Sequence, residues 1–591
     1  MAEALISPGV FLRENDLSQV TAGPITVGAA LIGPTVIGKV NIPTLVTSYS
    51  EYGAKFGTTF ISGGNTQEYL TSQAAYNYFQ QGGTSLLVTR VASGSYTEAT
   101  SSTILNSLGS ASFELATLSV GTVMNNDQGA TSATNGILPS GSANNIRWQI
   151  TQADSGSGYF TLLVRAGNDY TAGQTILETW TNLSLDPNQS NYIAYVIGDQ
   201  TQTIAYDENG LAYLQTTGSY ANQSRYIRVS EVFTPTPNYL NPQGRAVAAY
   251  TASIPVNGSG SANGAFGGAA GALYGGLNAA GTATSAPLNL FEAIPSVAAT
   301  TPANNIQGLV ASDYDTAIDL LANVDAYSYN AVYAPGLTNQ NGATQVAALL
   351  ATAQNRGDNI AVVDLVSYGQ NVTTVSVAAQ SYDNSYGAAY WPWVQVRSTE
   401  TGRLHFVPAS TVIPGVYEYN DKVSAEWFAP AGLNRGGLPT VIQPEYRLTV
   451  NQRNTLYTAK VNPIAVFPGQ GTVVYGQKTL QARASALDRV NVRRLLIALK
   501  GYIGQIAQTL VFEQNTAVTR NKFLSQVNPY LEYVQQKQGL YAFRVVMDDT
   551  NNTPDVIDRN LLVGAIYLQP TRTAEYIQLD FNILPTGVTF G

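Results

Sequence analysis

Tyr329-Asn330-Ala331-Val332-Tyr333, the turn Pro335-Gly336, the run Thr344-Gln345-Val346-Ala347-Ala348-Leu349-Leu350 and then Asn359-Ile360-Ala361-Val362-Val363-Asp364-Leu365 decide the fold class. The first stretch is short, apolar and aromatic, and the Pro-Gly pair is a stop signal, so a strand is expected over residues 329–333. Residues 344–355 are Ala/Leu-rich and end just before Gly357, which suits a helix with a glycine C-terminal stop. Residues 359–365 read as a second strand. A strand, a helix and a strand in so short a span imply a right-handed parallel crossover, and hence an α/β domain over residues 287–462.

Upstream, the chain changes character twice. Residues 1–92 begin with an arm in which Val10 and Leu12 alternate with Phe11 and Arg13 after the Pro8-Gly9 turn, as a short strand would. Strands are expected at 27–33, 45–48 and 85–91, with a helix near 67–81 that stops at Gly82-Gly83. From 93 to 245 the pattern becomes short alternating strands with polar turns, clearest at 145–151, 159–165, 192–197 and 226–232, which reads as an all-β sandwich. Residues 246–291 hold no charge, and 246–286, with Gly-Ser-Gly-Ser at 258–261, read as a flexible linker or as a surface buried against another subunit.

Downstream, residues 463–591 form the last expected domain, with two helices followed by strands. In the first helix Val492, Leu496, Leu499, Ile503, Ile506 and Leu510 fall on one stripe. Arg489, Arg493 and Lys500 lie on a neighbouring stripe about 80° away, and Arg494 departs from it, as an internally paired residue would. A basic stripe is either a solvated face or a contact for an acidic partner. Residues 575–583 alternate, with Ile577, Leu579, Phe581 and Ile583 on one face, as a half-buried strand before a free tail would.

Bulk composition sets limits. At 591 residues the chain is too long for one core, and three to four domains of ~150 residues are expected. Only 11% of residues are charged, while 36 are Tyr and 54 Gly, which points to a surface hidden against copies of itself or to a neutral polar one. The net charge of −9 argues against non-specific nucleic-acid binding. Within 481–545, nine basic residues face three acids, so that window is +6 and the remainder −15. No apolar run is long enough to span a bilayer, so no membrane insertion is expected, and the first residues lack a basic start with an apolar stretch, so assembly in a cytoplasm is expected.

Catalytic chemistry finds little footing. With no Cys there are no disulfides, thiolate nucleophiles or Cys-ligated metals. A Ser-His-Asp triad needs a histidine base, and the one His, His405, lies in the alternating run 403–408 with no acid or Ser beside it. No Gly-x-Ser-x-Gly elbow, phosphate-binding Gly-Lys loop or His pair occurs. Asp548-Asp549-Thr550-Asn551-Asn552-Thr553 has calcium-loop composition, but Pro554 and the missing Gly and Glu break that pattern, leaving a strand-exit turn. The spacing of Gly469, Gly471 and Gly476 misses the dinucleotide fingerprint. No cofactor, metal or enzymatic activity is expected.

The last 204 residues carry a resemblance. They run from Ala388-Ala389-Tyr390-Trp391-Pro392-Trp393 through Asp488-Arg489-Val490-Asn491-Val492-Arg493-Arg494 and Asp549-Thr550-Asn551-Asn552-Thr553-Pro554 to Thr573-Ala574-Glu575-Tyr576-Ile577-Gln578-Leu579-Asp580-Phe581. That order is similar to the C-terminal part of contractile tail sheath proteins. Pro8-Gly9-Val10, Gly33-Pro34 and Tyr52-Gly53-Ala54-Lys55-Phe56-Gly57 resemble the family's N-terminal pattern. Asn145-Ile146-Arg147-Trp148, Glu178-Thr179-Trp180 and Leu183-Ser184-Leu185-Asp186-Pro187-Asn188 resemble the β-sandwich insertion of large myophage sheaths. Tyr333-Ala334-Pro335-Gly336, with Arg356-Gly357-Asp358 and Asp364, matches the look of the family's subtilisin-like domain.

The resemblance implies a multidomain α+β / α/β protein, with a C-terminal sheath core completed by the N-terminal segment. It implies a structural subunit of stacked hexameric rings around an inner tube, contracting to drive that tube through a cell envelope. Its partners would be copies of itself, the tube protein, the baseplate and the tail terminator, in a virion tail assembled in the host cytoplasm. Arms holding Val10 and Leu12, and Ile577, Leu579, Phe581 and Ile583, would exchange strands between subunits. Arg489, Arg493 and Lys500 would face the tube. A tail-derived injection system would use the same subunit. Two other classes, a subtilisin-fold hydrolase and an exported surface-layer or adhesin protein, lack a general base and an export signal respectively.

Overall fold

The structure is a computed structural model. It describes residues 25–62, 65–92, 97–121, 144–170, 172–267 and 309–576, with the single positions 138, 307 and 578. Its organising element is an eight-stranded sheet. The strands are β1 (Ile25–Gly33), β2 (Thr44–Val46), β3 (Leu86–Arg90), β4 (Tyr327–Thr338), β5 (Ile360–Asp364), β6 (Gly387–Trp391), β7 (Val461–Phe467) and β8 (Gly471–Val474), in the order β2-β3-β1-β4-β5-β6-β7-β8. Pairing is parallel except at the two edges, β2–β3 and β7–β8. Parallel strands are covered on both faces, so they need continuous apolar runs, and β3, β5 and β6 are buried along their whole length.

The crossover expected from the sequence is present. Helix α2 (Asn339–Arg356) follows β4 and leads into β5, with helix α1 (Leu70–Gln80) earlier in the chain. Thr338 caps α2 by accepting from Asn341 N, and Gly357 ends it at φ +71°. β4 does not stop at Pro335-Gly336 but continues to Thr338, with its register to β5 broken between Tyr333 and Thr338. The helix expected over 67–81 starts later, because 65–68 pairs with 59–62 as a hairpin.

Two domain boundaries move. Residues 25–90 do not complete the C-terminal unit. β1 pairs with β4 from Ile25↔Tyr327 to Leu31↔Tyr333, so the N-terminal segment supplies three strands of the α/β sheet. The expected boundary at 462 falls inside β7, which pairs with β6 through Ala389↔Val461 and Trp391↔Pro463.

Between 98 and 232 the strands pair antiparallel. A four-stranded sheet (98–100, 104–105, 111–120, 227–232) and a three-stranded sheet (146–154, 159–166, 176–184) share one core, in which Phe113 stacks on Phe160 at 5.6 Å. The strand expected at 192–197 is instead a short helix, Ile193–Ile197, because Val196 N and Gly198 N bond back to Tyr192 O and Ala194 O. The linker reading of 246–286 fails for its first half. Residues 246–267 lie on these sheets through the bridges Ile150↔Gly258, Arg147↔Ala265 and Thr100↔Gly267, with Phe266 fully buried. Glycine is required there: a Cβ on Gly264, at φ +77°, would sit 2.1 Å from Trp148 O. Residues 268–286 lie outside the described residues.

The C-terminal unit is built from α5 (Val490–Gln508), α6 (Ala517–Gln536) and the antiparallel pair β9 (Leu540–Val546) and β10 (Ala565–Pro570). Before it come α3 (Ile413–Val423) and α4 (Val450–Thr458). Leu499 and Leu510 enter the C-terminal core and Leu496, Ile503 and Ile506 pack against it, as the apolar stripe requires. Val490 and Ile497, on the same helix, belong to the core of the large sheet. The first half of α5 therefore lies between two cores.

Candidate assembly surface and the Glu575 clasp

Because α5 is wedged between two units, its cations do not form an open row. Arg493 is only 4% exposed, lies over the Tyr386 ring at 3.9 Å and donates to Ser385 Oγ at 2.5 Å. Burial lowers its pKa despite the nearby Tyr386. Lys500, on the exposed side of the helix, reaches the same tyrosine through Nζ to OH at 3.2 Å. Arg494 is buried, pairs with both oxygens of Asp421 on α3 and lies 4.7 Å from the Tyr417 ring centre. The internal partner expected for Arg494 is thus Asp421.

Arg489 is the main correction. It was expected to face a partner, but it grips Glu575 of its own chain through Nε at 2.6 Å and Nη2 at 2.9 Å. Asp488 meets the same guanidinium at 3.0 Å. Glu575 also accepts from Tyr457 OH at 2.9 Å and Gln477 Nε2 at 3.1 Å. Burial works against ionisation of Glu575, but the bonds from Arg489 and Tyr457 outweigh it and hold the carboxyl below its ordinary range. Sequence pattern could not find this site, because its donors come from positions 457, 477 and 489.

The β9–β10 pair is the second feature the sequence reading did not single out. Among the described residues neither strand has a further neighbour, and Tyr541 and Tyr567 are 57% and 62% exposed. A two-stranded ribbon is marginal alone and offers unpaired N–H and C=O groups along its edges. The arm residues Val10, Leu12, Ile577, Leu579, Phe581 and Ile583 lie outside the described residues, so the strand expected over 575–583 does too, except at Glu575, Tyr576 and Gln578, which are not in a strand. A third exposed feature is the α5–α6 connection, where Phe512 is fully exposed at φ +70° beside the exposed Val511.

Catalytic arrangements are sparse among the described residues. Ser410 donates to Asp364 Oδ2 at 2.5 Å, but both are buried, and burial pushes the Asp364 carboxyl up to about 6. His405 pairs across the strands with Val396, and burial lowers its pKa. Residues 548–552 form a turn in which Asp548 accepts from Thr550 N and Oγ1. No cluster of three or more metal-ligating side chains is found among the described residues, and no helix there is long and apolar enough to cross a membrane.

Comparison with known proteins fits this architecture. Residues 308–480 match the family described as phage tail sheath protein central domain, and residues 483–583 match the phage tail sheath C-terminal domain. The junction between the two matches falls just before α5. The tail sheath protein of Vibrio phage KVP40 is 43% identical over 188 residues, covering 32% of this chain and 28% of that protein. The tail sheath protein of Enterobacteria phage T4 is 38% identical over 224 residues, covering 38% and 33%. A sheath tail protein from Listeria innocua has a solved structure that aligns over 89% of both chains, at 9% identity and a TM-score of 0.48. The chain spans a third or less of the length of the two phage relatives. Residues 308–480 of the sheet-bearing unit and the helical unit after it therefore match sheath domains. Over residues 308–583 the chain belongs to the phage tail sheath family.

Proposed function

We propose that the chain is a structural subunit of a contractile tail sheath, one that polymerises as stacked hexameric rings around an inner tube and contracts to drive that tube through a cell envelope. The observation that carries this reading is the paired match of 308–480 and 483–583 to sheath domains. In this reading the parallel sheet is the subtilisin-like domain, residues 93–267 are a β-sandwich insertion, and residues from about 490 on form the C-terminal sheath domain. The N-terminal 24 residues and the segment after Glu575 are the arms, and the open β9–β10 ribbon receives strands from other copies by β-augmentation.

The tube contact falls on the outer half of α5 and the connection after it, with Lys500 and Phe512 as its anchors, since Arg489 and Arg493 are committed within the subunit. Baseplate and tail terminator are the remaining partners, and the site of action is the virion tail after assembly in the host cytoplasm. The subunit works as a structural element without cofactor, nucleic acid or membrane insertion. The phage origin of the two sequence relatives favours a phage over a tail-derived injection system. Negative-stain microscopy of the purified protein tests the reading: wide hollow tubes are expected, and monodisperse particles at high concentration would refute it.

A further inference from the structure

After β10 ends at Pro570, the chain crosses from the C-terminal unit to the sheet-bearing unit. Thr571 N donates to Gly539 O at 3.1 Å, Gln477 Nε2 donates to Thr573 Oγ1 at 2.5 Å, and Glu575 enters the clasp of Arg489, Tyr457 and Gln477. The receiving frame is braced by backbone hydrogen bonds. Thr479 N bonds to Asp488 O at 3.0 Å and Val490 N to Gln477 O at 2.8 Å, so two of the three clasping residues are tied together by backbone. Tyr457 stands on α4 with Lys478 Nζ 4.5 Å from its ring centre.

This route has a topological effect. A chain leaving β10 with an alternating segment ahead of it returns most simply to the open edge of β10, through a turn of about two to five residues. Residues 571–575 are the ones that turn would use, and within them Thr573 and Glu575 are held by the sheet-bearing unit. We propose that the Glu575 clasp prevents the C-terminal arm from pairing with its own β10, and so reserves that edge for a strand from a second copy of the chain. Arg489, Tyr457 and Gln477 are then positioning residues for strand exchange, acting by blocking the competing closed subunit. The proposal rests on the reading of the chain as a polymerising sheath subunit.

The test compares the full-length chain with Glu575→Gln, which keeps shape and loses charge, and with Tyr457→Phe, which removes one donor. Native-state hydrogen exchange on dissociated subunits reads the amides of Ala565–Pro570, and sedimentation reads the polymerised fraction. Glu575→Gln is expected to raise protection of the β10 amides by ~10-fold or more, as a strand closing in cis would, and to lower the polymerised fraction. Tyr457→Phe is expected to shift both in the same direction by less. Wild-type β10 exchange in both variants would overturn the proposal, as would loss of polymer without gain of β10 protection. If the wild-type chain itself gives no polymer, the sheath reading fails, and the exchange measurement still decides the clasp.

Discussion

The buried Arg494 on α5 and the half-buried Asp421 on α3 form a two-pronged ion pair that ties the C-terminal unit to the large sheet. The Arg494 guanidinium lies over Tyr417, whose hydroxyl is 2.8 Å from that of Tyr390 on β6. The chain of contacts runs from α5 through α3 to β6, the sixth strand of the sheet. Removing Asp421 takes both hydrogen-bonded oxygens from the buried Arg494 and leaves only the attraction of Glu426 and Glu418, a loss of up to about 3–5 kcal/mol, whereas replacing both partners with apolar residues costs far less. Asp421→Asn should therefore lower the thermal unfolding midpoint sharply, and Asp421→Leu with Arg494→Met should recover most of the loss. Equal losses in the single and double variants would remove the ion pair from this role.

The same joint carries a pH dependence. Burial, reinforced by Asp421, pushes the Glu418 carboxyl up to about 7, against the opposing pull of Arg494 and a hydrogen bond from Tyr78, with Glu426 adding to the rise. A carboxyl whose pKa is raised on folding holds its proton in the folded state while the unfolded chain has lost it. Its contribution to stability is present below the ordinary value of 4.5 and is lost as pH rises through about 7. Burial also pushes Glu445 up to about 7, so it acts in the same direction. The subunit should gain thermal stability between pH 8 and pH 5, and Glu418→Gln should flatten part of that slope, as calorimetry across the range would show.

Gly264 predicts a local defect. Its Cβ would collide with the Trp148 carbonyl, and its φ of +77° is unfavourable for any other residue. Gly264→Ala should cost ~1–3 kcal/mol within the β-rich insertion and leave the large sheet intact. Limited proteolysis that cuts the insertion first would bear this out.

The outer half of α5 predicts a functional defect without a folding one. Lys500→Glu with Phe512→Ser should leave circular dichroism and tube-free polymers unchanged, because both residues are exposed and Lys500 gives up only its contact with Tyr386. One exposed charge contact contributes only ~0.2–1 kcal/mol, but repetition along a tail multiplies it. Extended sheath on its tube should become less stable, and the wild-type assembly should weaken as salt rises. Normal extended tails from the double variant would assign these residues to a solvated face.

Much of the fold was legible because its elements follow local rules. The crossover from 327 to 364 announces itself through apolar runs and Gly357 as a stop, whereas the Thr338 cap, which starts the helix at Asn339, was not read from the sequence. The stripe of α5 was legible for the same reason. What escaped was set by contacts distant in sequence. A wheel places Arg493 beside the stripe, but a second core on the far side of α5 buries it. Arg489 looks like any exposed cation until Glu575 arrives from 86 residues away. Ile193–Ile197 alternates well enough for a strand, and only its local backbone bonds make it helical. The uncharged glycines near 258–267 read as a linker, although their lack of side chains is what lets the backbone approach Trp148.

The central claim is that subunits join by exchanging strands at the β9–β10 ribbon, and an engineered disulfide tests it most directly. The sequence contains no Cys, so each introduced pair is unambiguous. Tyr567→Cys should be combined in one chain with Leu579→Cys, Phe581→Cys or Ile583→Cys in turn, and the polymer oxidised and run under denaturing, non-reducing conditions. The account predicts a ladder of covalently linked multimers from at least one pair, since the arm reaches a different copy. Only monomers, with the disulfide closed inside each chain or absent from every pair, would contradict it.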